Sequence, residues 1–240
     1  MAVMARSILI VVHSETSTPG RIGQMLKAKG YALDIRRPCL GEPLPETMAD
    51  HDGAVIFGGP MSANDADDWI AREIDWIGVP LKEERPLLGV CLGAQMLSKH
   101  LGGRVGPHHE GAVEIGYYPI QPTAAGRDLG PWPEQVYQWH REEFTLPAGA
   151  SLTATGDIFE NQAYSYGPAA HGIQFHPEVT RLTMHRWTVL GAHRFVMPGA
   201  QGRDQHLEGN LVHDAPVKAW LDRFLDMWLM PAAKTAAVTA

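Results

Sequence analysis

Residues 86–95 read PLLGVCLGAQ, in which a short apolar run ends at Cys91 and a helix-like segment follows without a break. A buried strand that turns directly into a helix is typical of α/β proteins. Such a turn exposes the residue at its apex, and the amide groups at the start of the helix favour a thiolate there. Gly89 and Gly93 flank the cysteine and are expected to leave space around it. Taken alone, the pattern fits a nucleophile and a buried structural cysteine equally well.

Apolar runs and helix-like segments alternate around this stretch. We predict strands at residues 7–12, 32–36, 54–57 and 87–90, and helices at residues 18–29 and 69–81. Such alternation predicts an α/β fold with a largely parallel central sheet, helices on both faces, and functional groups at the carboxyl ends of the strands. Residues 113–166 contain shorter alternating pieces, which predict a small antiparallel elaboration. From residue 182 onward the chain is predicted to be helical again, and residues 217–229 carry an aromatic face that we expect to pack in the core.

A second motif, GIQFHPEV at residues 172–179, also places polar side chains after an apolar run. His176 and Glu178 are two positions apart and would point to the same side of an extended segment. Pro177 favours that conformation because it fixes its own φ and disfavours helix at the preceding residue. A thiol, a base and a carboxylate that orients the base form the general arrangement of an activated nucleophile. We therefore predict that Cys91 attacks, His176 transfers the proton and Glu178 fixes the imidazole.

Composition and charge narrow the class of protein. The chain has 240 residues, 45% of them hydrophobic, which predicts one domain spanning 1–240 with a flexible tail at about 231–240. A net charge of −7 without runs of Lys or Arg argues against a nucleic-acid partner or a membrane-binding surface. The N-terminal stretch does not resemble an export signal, and no apolar run approaches ~18 residues. We therefore predict a cytoplasmic protein.

The cysteines and histidines raise the questions of a disulfide and of a metal site. A free catalytic thiol in the reducing cytosol fits better than a disulfide between Cys39 and Cys91, and Cys39 is then a bystander. The densest polar cluster is His108-His109-Glu110. Adjacent residues diverge on regular structure, however, and no zinc-binding spacing occurs in the sequence. We predict no metal ion and no cofactor.

Three motifs together resemble those of a known family. They are GGPMS at residues 58–62, GVCLGAQ at residues 89–95 and GIQFHPE at residues 172–178. In order and separation they are similar to those of the triad-type class I glutamine amidotransferase domain, over nearly the whole chain. This resemblance implies a flavodoxin-like fold and hydrolysis of the glutamine side-chain amide through a γ-glutamyl thioester. The residues that match the catalytic ones of the family are Cys91, His176 and Glu178.

The same chemistry suggests roles for the glycine turn and for the first turn of the following helix. A tetrahedral intermediate needs backbone N–H donors, and a turn without side chains lets the oxyanion approach them. Gly59 is the expected first donor and Leu92, the residue after the nucleophile, the second. The alternative for Gly58 and Gly59 is an ordinary turn at the end of a strand. Gln95 matches a residue that contacts glutamine in the family, so we expect Gln95 and Gly58 to border the substrate. The alternative for Gln95 is an exposed residue of its helix.

The physiological reaction stays open at this point. The sequence is similar to free-standing GMP synthase-like members of the family and contains no ATP-binding glycine loop. One interpretation is a glutaminase-type amidotransferase that acts alone or docks on a separate synthetase subunit. A second is a hydrolase of other γ-glutamyl peptides or amides that uses the same three residues. A third interpretation is a non-enzymatic regulatory or binding protein on this scaffold. The presence of Cys91, His176 and Glu178 argues against it.

Overall fold

Strands and helices alternate along residues 6–230, the part of the chain that the computed structural model describes. The strands are β1 (Ser7–Val11), β2 (Ala32–Arg36), β3 (Gly53–Ile56), β4 (Leu87–Val90), β5 (Val105–Pro107), β6 (Glu114–Pro122), β7 (Gln135–His140), β8 (Glu142–Phe144), β9 (Ala150–Gly156), β10 (Asn161–Tyr166) and β11 (Ala170–Ile173). The helices are α1 (Gly20–Ala28), α2 (Asp68–Trp76), α3 (Gly78–Lys82), α4 (Leu92–His100), α5 (Ala124–Arg127), α6 (Arg181–Leu190) and α7 (Arg203–Trp228). None of these helices is long and apolar enough to cross a membrane. The flexible tail predicted at 231–240 lies outside the described residues.

Nine strands form one continuous sheet in the order β2-β1-β3-β4-β11-β10-β9-β6-β7. The first five run parallel to one another, and we call them the parallel half. The other four, which we call the antiparallel half, join the edge of β11 through antiparallel pairs. β5 and β8 form a separate two-stranded sheet. The predicted fold class is confirmed, and the antiparallel elaboration is larger than expected because most of it extends the central sheet.

Side chains of the parallel half point alternately into two apolar cores. In β1, Ile8 and Ile10 pack into one core, whereas Leu9 and Val11 pack into the other. α1 and α7 cover the first face of the sheet, and α2 and α4 cover the second. Because helices bury both faces, both sets of side chains are apolar, which explains the uninterrupted apolar runs in the sequence.

The aromatic face predicted for the C-terminal helix packs inside the protein. Trp220, Phe224 and Trp228 are all buried in the core that α1 shares. The ring of Trp220 lies 5.3 Å from that of Phe175, centroid to centroid. This contact supports the segment that leads directly into His176.

Two predicted helices differ from the observed ones. α1 begins at Gly20 rather than at residue 18, and the single helix predicted at 69–81 is two helices, α2 and α3, which meet at Ile77. Pro80 explains the break because it has no N–H to donate to the carbonyl of Trp76 and is tolerated only in the first turn of a helix.

Candidate active site

Three neighbouring strands bring the sequence motifs together. β3, β4 and β11 are adjacent and parallel, with Ile56 beside Gly89 and Val90 beside Ile173. The carboxyl ends of parallel strands meet at one edge of a sheet. The glycine turn after β3, Cys91 after β4 and His176 after β11 therefore lie at the same edge, as expected.

Cys91 occupies a strained turn between β4 and α4. Its backbone has φ 51° and ψ −107°, a region that residues other than glycine rarely adopt. The Cys91 N–H donates to the Ile173 carbonyl at 2.8 Å, and the Cys91 carbonyl accepts the Gln95 N–H at 3.0 Å. These two bonds anchor the turn on both sides, so the position of the sulfur is fixed by the strand-to-helix geometry.

Close packing, rather than space around the thiol, explains why residues 89 and 93 are glycines. A Cβ atom on Gly89 would lie 2.5 Å from the Gly93 carbonyl oxygen, and one on Gly93 would lie 2.1 Å from the Ile56 carbonyl oxygen. Both distances are shorter than real Cβ contacts allow. The two glycines let α4 pack directly on β3 and β4 rather than leaving open space around the thiol.

His176 and Glu178 form a buried pair. The Nδ1 atom of His176 lies 2.8 Å from Oε1 of Glu178, and both side chains are less than a tenth exposed. The expected extended conformation is wrong, because Pro177 and Glu178 form a turn that the Val179 N–H closes on the His176 carbonyl at 3.4 Å. Proline suits the second position of such a turn, and the turn brings the two side chains together.

Neighbouring elements hold this turn in place. The His176 N–H donates to the Tyr137 carbonyl, and the Arg21 N–H donates to the Glu178 carbonyl, each at 2.8 Å. Gly20, with φ 50°, approaches so closely that a Cβ atom there would lie 2.4 Å from the Glu178 carbonyl oxygen. The start of α1 therefore fixes the residue that orients the imidazole.

The charge state of His176 follows from its surroundings. Burial lowers its pKa, but the nearby charges of Glu178 and Cys91, together with hydrogen bonds to both side chains, raise it to about 10. The imidazole and the Trp187 ring pack edge to face, with centroids 5.0 Å apart. These neighbours favour the protonated form of His176, the form that can donate a proton.

The glycine turn, Gly58 and Gly59, lies against His176 and Cys91. A Cβ atom on Gly58 would lie 2.8 Å from Cε1 of His176 and 3.4 Å from the Cβ of Cys91. One on Gly59 would lie 3.1 Å from Cδ2 of Leu92, so the two residues expected to supply N–H donors are neighbours. Leu92 is the first residue of α4, where the backbone N–H has no partner within the helix.

Gln95 is buried rather than exposed on its helix. Its Nε2 donates to the Glu142 carbonyl at 3.0 Å and to Oε1 of Gln174 at 3.2 Å. These contacts occupy the amide nitrogen, so the amide oxygen is the atom that a ligand could contact. Glu142 also borders an open cavity of about 330 Å³ that Arg141 and Val113 help to line.

Sequence reasoning missed a second buried pair, His13 and Glu73, on the far side of the glycine turn. His13 directly follows the apolar run of β1, next to β3 in the sheet, and this placement at a strand end was a usable signal. Glu73 interrupts the apolar face of α2 between Ile70 and Ile77. A charged residue on a buried face needs a partner, which was the second signal.

The positions of the cysteines and histidines bear on the possible disulfide and the possible metal site. Cys39 and Cys91 are both free thiols. The rings of His108 and His109 pack on one another at a tilt of 39°, with centroids 4.3 Å apart. Within residues 6–230, no group of three or more His, Cys, Asp or Glu side chains is arranged to hold a metal ion.

Known proteins resemble this chain in both sequence and structure. The glutamine amidotransferase-like protein YfeJ of Salmonella typhimurium is 30% identical over 181 residues, 71% of this chain and 74% of YfeJ. Gamma-glutamyl peptidase 5 of Arabidopsis thaliana is 32% identical over 161 residues, 63% of this chain and 64% of the peptidase. One subunit of the glutamine-hydrolysing GMP synthase of Haloarcula marismortui is 36% identical over 142 residues, 56% of this chain and 68% of that protein.

The structural comparison extends over more of the chain. The crystal structure of a glutamine amidotransferase from Methylobacillus flagellatus superposes with a TM-score of 0.87 at 26% identity, covering 95% of each chain. The sequence profile of class I glutamine amidotransferases matches residues 10–187, which include the glycine turn, Cys91 and His176. This chain belongs to the class I glutamine amidotransferase family.

Proposed function

We propose that this protein hydrolyses the side-chain amide of glutamine through a γ-glutamyl thioester on Cys91 and releases ammonia. The observation that carries the proposal is the position of Cys91, on a strained turn beside the His176 imidazole, whose Nδ1 lies 2.8 Å from Oε1 of Glu178. A nucleophile, a proton donor and a group that orients the donor are the parts that acyl transfer requires.

The first half of the reaction forms the thioester. The Cys91 thiolate attacks the amide carbon of the glutamine side chain, and the carbonyl electrons move onto its oxygen. The N–H groups of Gly59 and Leu92 donate to this oxyanion, an interaction that is strongest in the transition state. When the carbonyl reforms and the C–N bond breaks, the His176 imidazolium gives its proton to the departing nitrogen. Ammonia leaves, and His176 is neutral.

The second half of the reaction restores the enzyme. Neutral His176 takes a proton from a water molecule as the water oxygen attacks the thioester carbon. The C–S bond then breaks, the thiolate of Cys91 departs and glutamate is released. His176 is again an imidazolium, and Glu178 stabilises this charge while it holds the ring in one orientation.

The direct test is ammonia release from glutamine by the purified protein. Wild-type protein is expected to release ammonia and to form a covalent γ-glutamyl adduct of Cys91 that mass spectrometry detects in acid-quenched samples. Cys91→Ala is the control. Failure of a glutamine-directed affinity label to modify Cys91 would instead favour a non-enzymatic role.

A γ-glutamyl peptide or amide is the second candidate substrate. The likeness to gamma-glutamyl peptidase 5 supports it. The two substrates share the γ-glutamyl half and differ only in what leaves. Comparing ammonia release from glutamine with amine release from γ-glutamyl peptides distinguishes them, because rapid glutamine hydrolysis without peptide turnover contradicts the second candidate.

A separate synthetase subunit is the proposed partner if glutamine is the substrate. The likeness to a protein that is named as one subunit of a GMP synthase supports this arrangement. Slow hydrolysis of both substrate types by the isolated protein would favour an absent activating partner. The distinguishing result would be an increase in the rate of glutamine hydrolysis when a synthetase subunit is added.

A further inference from the structure

A buried histidine–glutamate pair lies behind the glycine turn, outside the groups that the proposed reaction uses. His13 lies two residues after the end of β1, and Glu73 lies on α2. The Nε2 atom of His13 is 2.9 Å from Oε1 of Glu73, and both side chains are fully buried. Burying two ionisable groups costs free energy, so a pair at this position calls for an explanation.

The other nitrogen of His13 contacts the glycine turn itself. Its Nδ1 lies 3.1 Å from the carbonyl oxygen of Gly58. A carbonyl oxygen only accepts, so Nδ1 must carry the hydrogen. The Gly58 carbonyl and the Gly59 N–H belong to the same planar trans peptide and point in opposite directions. Fixing the carbonyl toward His13 therefore directs the Gly59 N–H away from His13.

A peptide between two glycines needs such a restraint. Glycine populates positive and negative φ with similar ease, so the Gly58–Gly59 peptide can rotate at little cost. The rotated peptide would present a carbonyl oxygen where the oxyanion forms and would repel it. Rotation would thus replace a favourable donor with an unfavourable acceptor.

The surroundings of His13 make it a rigid support. Its ring stacks on Trp69 with centroids 5.6 Å apart, and a Cβ atom on Gly59 would lie only 3.0 Å from the Cβ of His13. Burial lowers the pKa of His13, but the charge and hydrogen bond of Glu73 and the bond to Gly58 outweigh it and raise the pKa. The charged ring and the neutral tautomer that carries its hydrogen on Nδ1 both donate to the Gly58 carbonyl.

We propose that His13, held by Glu73, is a positioning residue that keeps the Gly58–Gly59 peptide oriented with its N–H toward the oxyanion. This inference rests on the proposed function, since it assumes that Gly59 donates to an oxyanion at Cys91. It assigns a role in the reaction to a pair outside the proposed nucleophile, proton donor and oxyanion donors.

Two substitutions of His13 separate orientation from packing. The amide nitrogen of asparagine can occupy the place of Nδ1 and still donate to Gly58, whereas that of glutamine reaches the place of Nε2 and faces Glu73. We expect His13→Gln to lower kcat about 100-fold with KM nearly unchanged, the range seen on loss of one oxyanion donor. His13→Asn should retain most of kcat. Equal losses in the two variants, or no loss in either, would overturn the proposal.

Two further readouts exclude a merely structural role. Alkylation of Cys91 by iodoacetamide needs the thiolate but no oxyanion donor, so its rate should be the same in wild type and both variants. Inhibition by glutamate γ-semialdehyde, which forms a hemithioacetal with Cys91, should weaken in His13→Gln only. His51→Ala is the matched control because His51 is also buried and paired, with Asp34 at 3.0 Å, at the opposite end of β3.

A measurement on wild type keeps the inference testable if the variants do not fold or if no substrate is turned over. The ¹⁵N spectrum of His13 should show a protonated Nδ1 across pH 6–8. An unprotonated Nδ1 would remove the bond to Gly58 and overturn the positioning role. Absence of turnover in wild type together with a protonated Nδ1 would count against the proposed reaction and not against the restraint on the peptide.

Discussion

In the parallel half of the sheet, neighbouring strands end at the glycine turn, at Cys91 and at the segment that leads to His176. The antiparallel half instead supplies backbone carbonyls along its strands. The Tyr137 carbonyl accepts the His176 N–H, and the Gln162 carbonyl accepts the Gln174 N–H, each at 2.8 Å. Parallel strands all end at one edge, so side chains that follow them converge there, whereas the ends of antiparallel strands alternate between edges.

The antiparallel half also holds its own buried polar cluster. Oε2 of Glu114 lies 2.9 Å from Nε2 of His140 and accepts the side-chain amide of Gln162 at 2.8 Å. All three side chains are nearly inaccessible to solvent. We therefore expect substitutions in the parallel half to change the rate of reaction and substitutions in this cluster to change mainly the stability of the fold.

The largest effect is expected for Cys91→Ala, which removes the nucleophile from the parallel half. Turnover should fall by about 10⁴-fold or more, since the proposed reaction has no other nucleophile. Ammonia or amine release is the measurement. Cys39→Ala is the control and should retain wild-type activity. Substantial residual activity in Cys91→Ala would contradict the thioester mechanism.

His176→Ala should be nearly as severe. Without the imidazolium, the leaving nitrogen has no proton donor, and the thioester has no base to activate water. Single-turnover measurements should show that both thioester formation and its hydrolysis are slowed. His193→Ala, at an exposed position, should behave like wild type. A His176 variant that still formed the thioester at the wild-type rate would exclude His176 as the proton donor.

Glu178→Gln should be milder and should change the pH dependence. The amide still accepts from one imidazole tautomer, but it no longer stabilises the imidazolium. In wild type the His176 pKa of about 10 keeps the ring protonated well above neutral pH. Loss of the carboxylate lowers that pKa, so the alkaline limb of kcat/KM should move to lower pH. An alkaline limb at the same pH in both proteins would refute this role of Glu178.

The smallest effect on chemistry is expected for Glu114→Gln in the antiparallel half. The glutamine amide oxygen can take the place of Oε2 and still accept from His140 and Gln162, but it carries no charge, which weakens both hydrogen bonds. The expected loss is about 1–3 kcal/mol of unfolding free energy, measured by urea denaturation. The kcat per folded molecule should change much less than in the His176 variant. A collapse of kcat at unchanged stability would remove the distinction between the two halves.

The sequence predicted the parallel half well because its signals are local. A buried strand needs an uninterrupted apolar run, and bounds such as 32–36 and 87–90 agree with the structure. The prediction of a single helix at 69–81 is wrong, because apolar residues recur at helical spacing through the break that Pro80 imposes. The extended conformation predicted around Pro177 is also wrong. Local preferences there allow both an extended segment and a turn, and the contacts of α1 with Glu178 select the turn.

The sequence by itself determined the family, the fold class and the residues expected to carry the chemistry, because each depends on short motifs at the ends of apolar runs. Only the tertiary structure decided why Gly89 and Gly93 are glycines, and that Gln95 is buried against Glu142. It also paired His13 with Glu73 across 60 positions of sequence. Contacts of this kind depend on how strands and helices pack, and no local preference along the chain encodes them.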